Sequence, residues 1–280
     1  MKNAFSEEIY FSSNVGIKNG TAKEYVFNGS RKLSQLDWQI ENLFKIGYKI
    51  DFYLKNTFLS TDCSLGLYNF GGKMEDYDWK TSPKNYDRYS CHNLAVSECV
   101  DFSFDYGLYF PLDNNKNFIK SYLQVDFATA KFYAYDGWRK YTDEDYKGNE
   151  EGVFSGTVVT YNPNLVSFLL GIGGKYYFGS DFSLEANALL GLFSFGRCVD
   201  NHIVSKVEFV DCVKGGWLLK ADFSLAYDFS NKHSLLIGGK LENQPLLKGN
   251  TFMNNLLTSG SGGFSSFFYE FYLSYRIRML

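Results

Sequence analysis

The clearest structural pattern in the sequence is the run Trp217-Leu218-Leu219-Lys220-Ala221-Asp222-Phe223-Ser224-Leu225-Ala226-Tyr227-Asp228-Phe229. Every second residue from Trp217 to Phe229 is apolar, while Lys220 and Asp222 stand between apolar neighbours. Successive side chains of a β-strand point to opposite faces, so this period of two indicates a strand with one apolar face. A long strand with one apolar and one charged face is typical of the wall of a membrane barrel.

The same alternation recurs in four other runs. Their apolar positions are Leu36, Trp38, Ile40, Phe44, Ile46 and Tyr48; Phe102, Phe104, Tyr106, Leu108 and Phe110; Phe182, Leu184, Ala186, Ala188 and Leu190; and Phe271, Leu273, Tyr275, Ile277 and Met279. We expect these apolar faces to meet lipid and the polar faces to line a narrow lumen, where charges of both signs pair. A soluble sandwich is the alternative, but it would need a second sheet over each apolar face.

The composition points the same way. Aromatic residues make up 19% of the chain, including 27 Phe and 22 Tyr, and there are only 4 Pro. Such residues suit strands and the aromatic girdles of membrane barrels. No run approaches the ~18 apolar residues of a membrane helix. The net charge of −3 gives no basic surface for nucleic acid, which we do not expect as a partner.

Short and long connections alternate along the 280 residues. We expect turns near residues 49–51, 112–117, 179–181 and 230–233, and longer loops at 28–32, 71–97, 136–152, 198–211 and 248–263. These nine connections predict an all-β, ten-stranded antiparallel transmembrane β-barrel that forms one domain over residues 1–280. Because long loops are extracellular in such barrels, we expect these loops outside the cell. Residues 1–6 lack the apolar core of a signal peptide, so we expect a processed N-terminus.

Two short stretches carry candidate chemistry. Asp76 and Asp78 are two residues apart, and so are Asp200 and His202. On an extended backbone, residues at this spacing point to one side, so each stretch can aim two titratable groups at one place. Either pair alone is more often a solvated turn, and the first could bind calcium. His92 competes with His202 for a role, whereas the predicted turn at 230–233 removes the third histidine from this end.

The five cysteines do not predict a metal site, because none is in a C-x-x-C pair and no metal is expected. Cys91 and Cys99 bracket one predicted loop, and Cys198 and Cys212 bracket another. Each pair could close a local disulfide in an oxidising compartment. Five free thiols are the alternative, and the sequence leaves the choice open.

Four stretches resemble the omptins, which are outer-membrane endopeptidases of Gram-negative bacteria. Residues 20–26 and 30–38 resemble the first hairpin of that family, residues 71–79 its first catalytic stretch, and residues 200–202 its Asp-x-His motif. The resemblance implies a ten-stranded barrel in the bacterial outer membrane with an active site at its extracellular rim. By this analogy, Asp200 orients His202, while His202 and Asp76 hold the water that attacks the peptide bond. Asp78 completes the second pair.

The resemblance also implies a preference for cleavage near basic residues, selected by acids in the first subsite. Glu24 matches one such acid, and Met74 matches a neighbour of the pocket. The second acid is expected at position 198, where this chain has Cys198. We therefore expect a weaker selection for Arg or Lys in this protein.

Peptides or proteins are the expected substrates, with no cofactor. Lipopolysaccharide is expected to bind the outside of the barrel and to be needed for activity. Its ligands are not assigned, although Lys131, Arg139 and Lys140 lie in the segment where one would be sought. The alternative from another functional class is a non-catalytic barrel that acts as an adhesin or structural protein. A porin is a third possibility, but ten strands enclose too narrow a lumen for an open channel.

Overall fold

The computed structural model describes residues 7–112, 117–142 and 150–279. Residues 1–6, on which the expectation of a processed N-terminus rests, lie outside the described residues. The strands are β1 (Glu8–Asn28), β2 (Arg31–Leu54), β3 (Thr57–Asp78), β4 (Arg88–Pro111), β5 (Phe118–Tyr141), β6 (Glu150–Tyr177), β7 (Phe182–His202), β8 (Val207–Gly215), β9 (Leu219–Asp228), β10 (His233–Met253) and β11 (Leu256–Arg278). Among these residues there is no helix long enough and apolar enough to cross a membrane.

The strands form a closed antiparallel ring. From β1 to β7 and from β10 to β11 each strand pairs with its neighbour in the chain, and β11 pairs with β1 to close the barrel. β8 and β9 occupy one position of the ring in succession, because both lie between β7 and β10. They are separated at Gly215 and Gly216, whose φ angles of 96° and 69° interrupt the extended backbone. The ring thus has ten positions, which confirms the predicted ten-stranded barrel, although the described residues form eleven strands.

The apolar faces lie outside, as the alternation predicts. Phe102, Phe104, Tyr106, Leu108 and Phe110 on β4 are between 37% and 53% exposed. The large apolar residues of the predicted runs in β7, β9 and β11 are exposed too, except for Ile277, which is half-buried. Together with matching residues of the other strands, they form a belt towards one half of the barrel. An outward band of this kind is the lipid-facing surface of a transmembrane barrel.

One predicted run, residues 36–48 of β2, does not keep a single face. Trp38 is fully buried inside the barrel, whereas Tyr48 is 53% exposed on the outside. The change of face occurs at Asn42, which has a φ of 50°. A single residue with a non-extended backbone shifts the alternation by one, so every later side chain lies on the other face. The prediction of one lipid-facing row was therefore wrong for the first half of this run.

Several loops are shorter than the sequence suggested, and one turn lies elsewhere along the chain. The first turn is at Lys55 and Asn56 instead of residues 49–51, and the loop expected over 71–97 occupies only 79–87. Likewise only residues 203–206 separate β7 from β8. The strands continue through polar residues because backbone pairing does not require an apolar face once a strand has left the lipid. Most strands have 21 to 28 residues, so they rise well beyond a lipid band of about 25 Å.

We call the end that carries residues 79–87 and 203–206 the loop end, and the opposite end the turn end. Midway along the lumen, Lys45 bonds to Asp101 at 2.7 Å and to Glu270 at 2.9 Å. Between these ion pairs and the loop end lies an apolar layer, in which Trp38 stacks on Tyr161 with ring centroids 5.5 Å apart. The lumen is therefore filled by side chains and forms the floor of the loop-end site.

Candidate active site

β3 carries Asp76 and Asp78 to the loop end. The strand ends at Asp78, so both acids lie on extended backbone, whereas the sequence had suggested a loop. Glu75, the residue before Asp76, points outwards, where it accepts hydrogen bonds from Gln39 at 2.5 Å and Tyr89 at 2.7 Å. Because side chains alternate, Asp76 and Asp78 face the lumen. The polar outer surface around Glu75 shows that this level stands beyond the apolar belt.

β7 carries Asp200 and His202 in the same way, since it ends at His202. The His202 Nε2 donates a hydrogen bond to the Asp200 Oδ2 at 2.7 Å. Asp200 is only 3% exposed, and the ring of Phe209 packs edge-on against the imidazole. Burial lowers the pKa of His202, but the Asp200 carboxylate and its hydrogen bond outweigh this, so the pKa rises to about 9. The imidazole is therefore cationic at neutral pH.

The pKa of Asp76 on β3 is also raised, which for a carboxyl group favours the neutral form. Burial and then the nearby Asp78 raise the pKa of Asp76 to about 7, although His202 acts to lower it. The Oδ1 atom of Asp76 is buried and has no hydrogen-bond partner among the described residues. Asp78 lies 3.5 Å from the Nζ of Lys80, at the edge of the site. Asp76 can thus take up or release a proton near neutral pH.

The two strands face each other across the mouth of the barrel. β3 and β7 are four ring positions apart, so their inward faces are turned towards one another. The charges of Asp76 and Asp78 raise the pKa of His202, and those of His202 and Asp200 act on Asp76. The fold therefore brings the four predicted catalytic residues into one electrostatic cluster. A cationic imidazole facing a carboxylate with a near-neutral pKa can move a proton in either direction.

The three predicted substrate-binding residues lie lower in the same mouth. Glu24 is 1% exposed, and burial followed by the charges of Asp200 and Asp211 raises its pKa well above the usual value. Cys198 is also 1% exposed and is two residues before Asp200 on the same face. Met74 is fully buried in the apolar layer. Glu24 and Cys198 therefore adjoin the catalytic cluster, whereas Met74 supports it from below.

Asp211 also lies in the mouth, although it was not among the residues predicted from the sequence. Asp211 pairs directly with Cys198 across the hairpin of β7 and β8 and is 3% exposed. Burial raises its pKa to about 7, a hydrogen bond from Thr251 acts against this, and Asp200 raises it further. The contact between Cys198 and Asp211 follows from the register of the hairpin formed by β7 and β8. That register depends on the turn at residues 203–206, which lies inside a longer predicted loop.

His92 is not part of this cluster. Its Nδ1 donates to the backbone oxygen of Asp136 at 2.5 Å, and the Ser90 hydroxyl donates to its Nε2 at 2.8 Å. Both Ser90 and His92 are 3% exposed, and burial lowers the pKa of His92. The ring is therefore neutral, and no carboxylate among the described residues bonds to it. The geometry favours His202 over His92 as the acid–base histidine.

All five cysteines are free thiols, and neither bracketing pair is placed to form a disulfide. Cys91 and Cys99 lie eight residues apart in β4, or roughly 26 Å, far beyond the roughly 6 Å between bridged Cα atoms. Cys198 is buried in the mouth, whereas Cys212 is exposed on the outside. Within the described ranges, no group of three or more His, Cys, Asp or Glu could hold a metal ion.

The basic residues in the segment 131–140 have partners of their own. The Nζ of Lys131 lies 5.5 Å from the ring centroid of Tyr133, and Arg139 forms an ion pair with Glu150. Lys140 bonds to Glu151 at 3.5 Å. These contacts lie on β5 and β6 and do not by themselves define a lipid site.

Comparison with known proteins identifies relatives of the whole barrel. A sequence model of the Omptin family matches residues 5–261. The chain is 27% identical over 217 residues to the plasminogen activator of Yersinia pestis, covering 73% of this chain and 66% of that protein. The crystal structure of the outer membrane protease OmpT from Escherichia coli matches with a TM-score of 0.89 at 19% identity, covering 100% of both chains. The family match supports a protease function and implies the bacterial outer membrane, whereas the structural match shows the barrel fold.

Proposed function

Because the chain belongs to the Omptin family, we propose that it is an endopeptidase of the bacterial outer membrane whose active site is the cluster of Asp76, Asp78, Asp200 and His202. One observation carries the proposal. The barrel sets an imidazolium held by Asp200 opposite a carboxyl group whose pKa is raised to about 7. Structural ion pairs do not need such a mismatch, whereas general acid–base catalysis does.

In this mechanism, a water molecule binds between Asp76 and His202. Asp76 accepts a proton from the water molecule as the water oxygen attacks the carbonyl carbon of the peptide bond. His202 then donates its proton to the departing amine nitrogen as the C–N bond breaks. The proton on Asp76 returns the histidine to its cationic form, which completes the cycle without a covalent intermediate.

The other two acids have supporting roles. Asp200 fixes the orientation of the imidazole through its 2.7 Å hydrogen bond and stabilises the positive charge on it. Asp78 keeps the pKa of Asp76 high enough for proton exchange near neutral pH. Neither residue needs to contact the substrate.

The mouth of the barrel faces the outside of the cell in this proposal. The loop end stands well beyond the apolar belt, and short turns are periplasmic in bacterial barrels. Peptides or proteins would then reach the groove between β3 and β7 from the medium. Lipopolysaccharide is the proposed partner of the outer surface at this level.

The test is cleavage of a mixed peptide pool by protein refolded in detergent with lipopolysaccharide, with products mapped by mass spectrometry. We expect discrete cuts that fall by about 10²–10⁴-fold in His202→Ala, since removing a general acid has that effect. His233→Ala is the matched control, because His233 lies in the exposed turn region at the other end and bonds to Tyr275. A serine-directed fluorophosphonate should leave the activity unchanged.

Two results would contradict the proposal. Cuts that persist in His202→Ala would assign them to a contaminant or to another site. A well-folded wild type that makes no cut, with or without lipopolysaccharide, would favour the non-catalytic adhesin.

A further inference from the structure

The mouth of the barrel holds buried carboxylates without cations to match them. His202 pairs with Asp200 at 2.7 Å. In the described part of the chain, however, no Lys or Arg forms an ion pair with Glu24, Asp76 or Asp211. Burying a carboxylate is costly unless a partner compensates it. An arrangement of this kind is expected where the missing partner arrives with a ligand.

Glu24 shows where that partner is missing. Its side chain is 1% exposed, and its Oε2 accepts no hydrogen bond from the described residues. Its hydrogen bond with Asp200 requires a proton shared between the two acids. A second, uncharged group lies beside it in the same condition. The hydroxyl of Tyr161 is fully buried beside Cys198 and Glu24, and apart from the Cys198 thiol it has no hydrogen-bond partner within the described ranges. The Glu24 Oε2 and the Tyr161 hydroxyl are therefore two buried polar groups beside the same space, and both can bond to a ligand there.

Asp211 is built into that space from the neighbouring strand. The Thr251 hydroxyl donates to its Oδ1 at 2.6 Å, which fixes the carboxylate. Gly262 makes room for it, because a Cβ atom there would lie 2.0 Å from the Asp211 Cγ. Asp211 sits directly across the hairpin from Cys198. Asp211 is therefore an acid directly opposite position 198, where the family resemblance implies an acid and this chain has Cys198.

We propose that Asp211 and Glu24 form the carboxylate pair that binds the guanidinium or ammonium group of a basic substrate side chain, with Asp211 replacing the acid lost at Cys198. This inference rests on the proposed function for its choice of a peptide substrate. It reverses the expectation from sequence that selection for Arg or Lys is weakened. In this protein the second acid lies on β8 instead of β7, and the pocket keeps two carboxyl groups.

The chemistry of the pocket favours a cation over other ligands. A guanidinium offers several donors, which match the free oxygen of Glu24 and the second oxygen of Asp211. Burial raises the pKa values of both acids, that of Asp211 to about 7, so the empty pocket retains a proton more readily than exposed carboxylates do. A cationic side chain displaces such a proton, and its binding should therefore tighten as the pH rises. A neutral side chain gains nothing from the same groups.

Binding can be measured without turnover. The probe is a peptide with a reduced, non-hydrolysable bond after Arg, compared with the same peptide carrying norleucine, and titrated calorimetrically at pH 8. We expect the wild type to prefer the Arg peptide and Asp211→Asn to lose about 10- to 100-fold of that preference, as for one charge-assisted hydrogen bond. Asp181→Asn, an exposed acid in the turn between β6 and β7, is the control.

Two further variants separate charge from folding. Cys198→Asp combined with Asp211→Asn should restore the preference, because it returns an acid to the neighbouring position. Gly262→Ala should weaken it with the charge still present, because the added Cβ displaces the carboxylate. Equal binding of the two peptides by wild type, or an unchanged preference in Asp211→Asn, overturns the inference. Selective binding that depends on Asp211 without any hydrolysis would support it and refute the proposed peptidase instead.

Discussion

The barrel buries carboxylates in two regions that treat them differently. In the middle of the lumen, Asp101 and Glu270 each meet the ammonium group of Lys45 within 3 Å. At the loop end, Glu24 and Asp76 are buried with oxygens that have no partner among the described residues. The middle group is internally balanced and so holds strands together. The loop-end group is unbalanced and so keeps capacity for protons and for a cationic ligand.

This contrast distinguishes the acids paired with Lys45 from those at the loop end without reference to relatives. A buried charge that is satisfied inside the protein contributes to the fold, while one left unsatisfied is tolerated only at a cost in stability. Both groups face the same lumen of the same barrel. Sequence composition alone treats them as equivalent acids.

The largest expected effect breaks the balanced region. Lys45→Met leaves Glu270 without its ion-pair partner, and removing one member of a buried pair typically costs about 3–5 kcal/mol. We expect that loss in the free energy of unfolding, measured by urea titration in lipid vesicles. Lys18→Met is the control, since Asp101 then keeps Lys45 at 2.7 Å and the loss should be smaller. Equal losses in both variants would mean that the ion pairs are not the stabilising feature.

The next prediction concerns protons in the unbalanced region. Activity should rise as Asp76 loses its proton through about pH 7 and fall as His202 loses its proton through about pH 9. The profile of kcat/KM against pH is therefore bell-shaped, with limbs that belong to the coupled cluster. Asp78→Asn should move the acidic limb to lower pH, because Asp78 raises the pKa of Asp76. An acidic limb that does not move would exclude Asp76 as the group that must ionise.

The smallest effect is on stability at the loop end. The folded protein holds the Glu24 proton to a higher pH than the unfolded chain, so stability falls as pH rises above the ordinary Glu value of 4.5. Glu24→Gln has no such proton and should become more stable than wild type at pH 8 by more than about 1 kcal/mol, but not at pH 4. The control is Glu151→Gln, whose side chain is 73% exposed. A pH-independent difference would show that Glu24 is balanced after all.

Much of the fold followed from local pattern. The runs at 102–110, 182–190, 217–229 and 271–279 face outwards as the alternation indicated, and the resemblance at residues 71–79 and 200–202 agrees with the family match. Each of these inferences needs only the direction of neighbouring side chains. The pairing of Asp200 with His202 is of the same kind, because two residues separate them on one strand.

What failed depended on phase and register. The sequence near Asn42 does not predict its positive φ angle, which leaves Trp38 inside the barrel and Tyr48 outside. The strand ends were misplaced because polar strands above the membrane look like loops. Cys198 looked like a lost charge, since its neighbour Asp211 is thirteen residues away along the chain but directly opposite in the hairpin.

The sequence by itself determined a barrel with lipid outside, and it determined which residue types could carry acid–base chemistry. Both are properties of period and spacing, which a strand expresses through its own backbone. Only the tertiary structure decided that Asp76 faces His202 across the mouth and that Asp211 stands beside Glu24. Those contacts depend on the closure and register of ten strand positions, and the burial that shifts the pKa values exists only once the ring has closed.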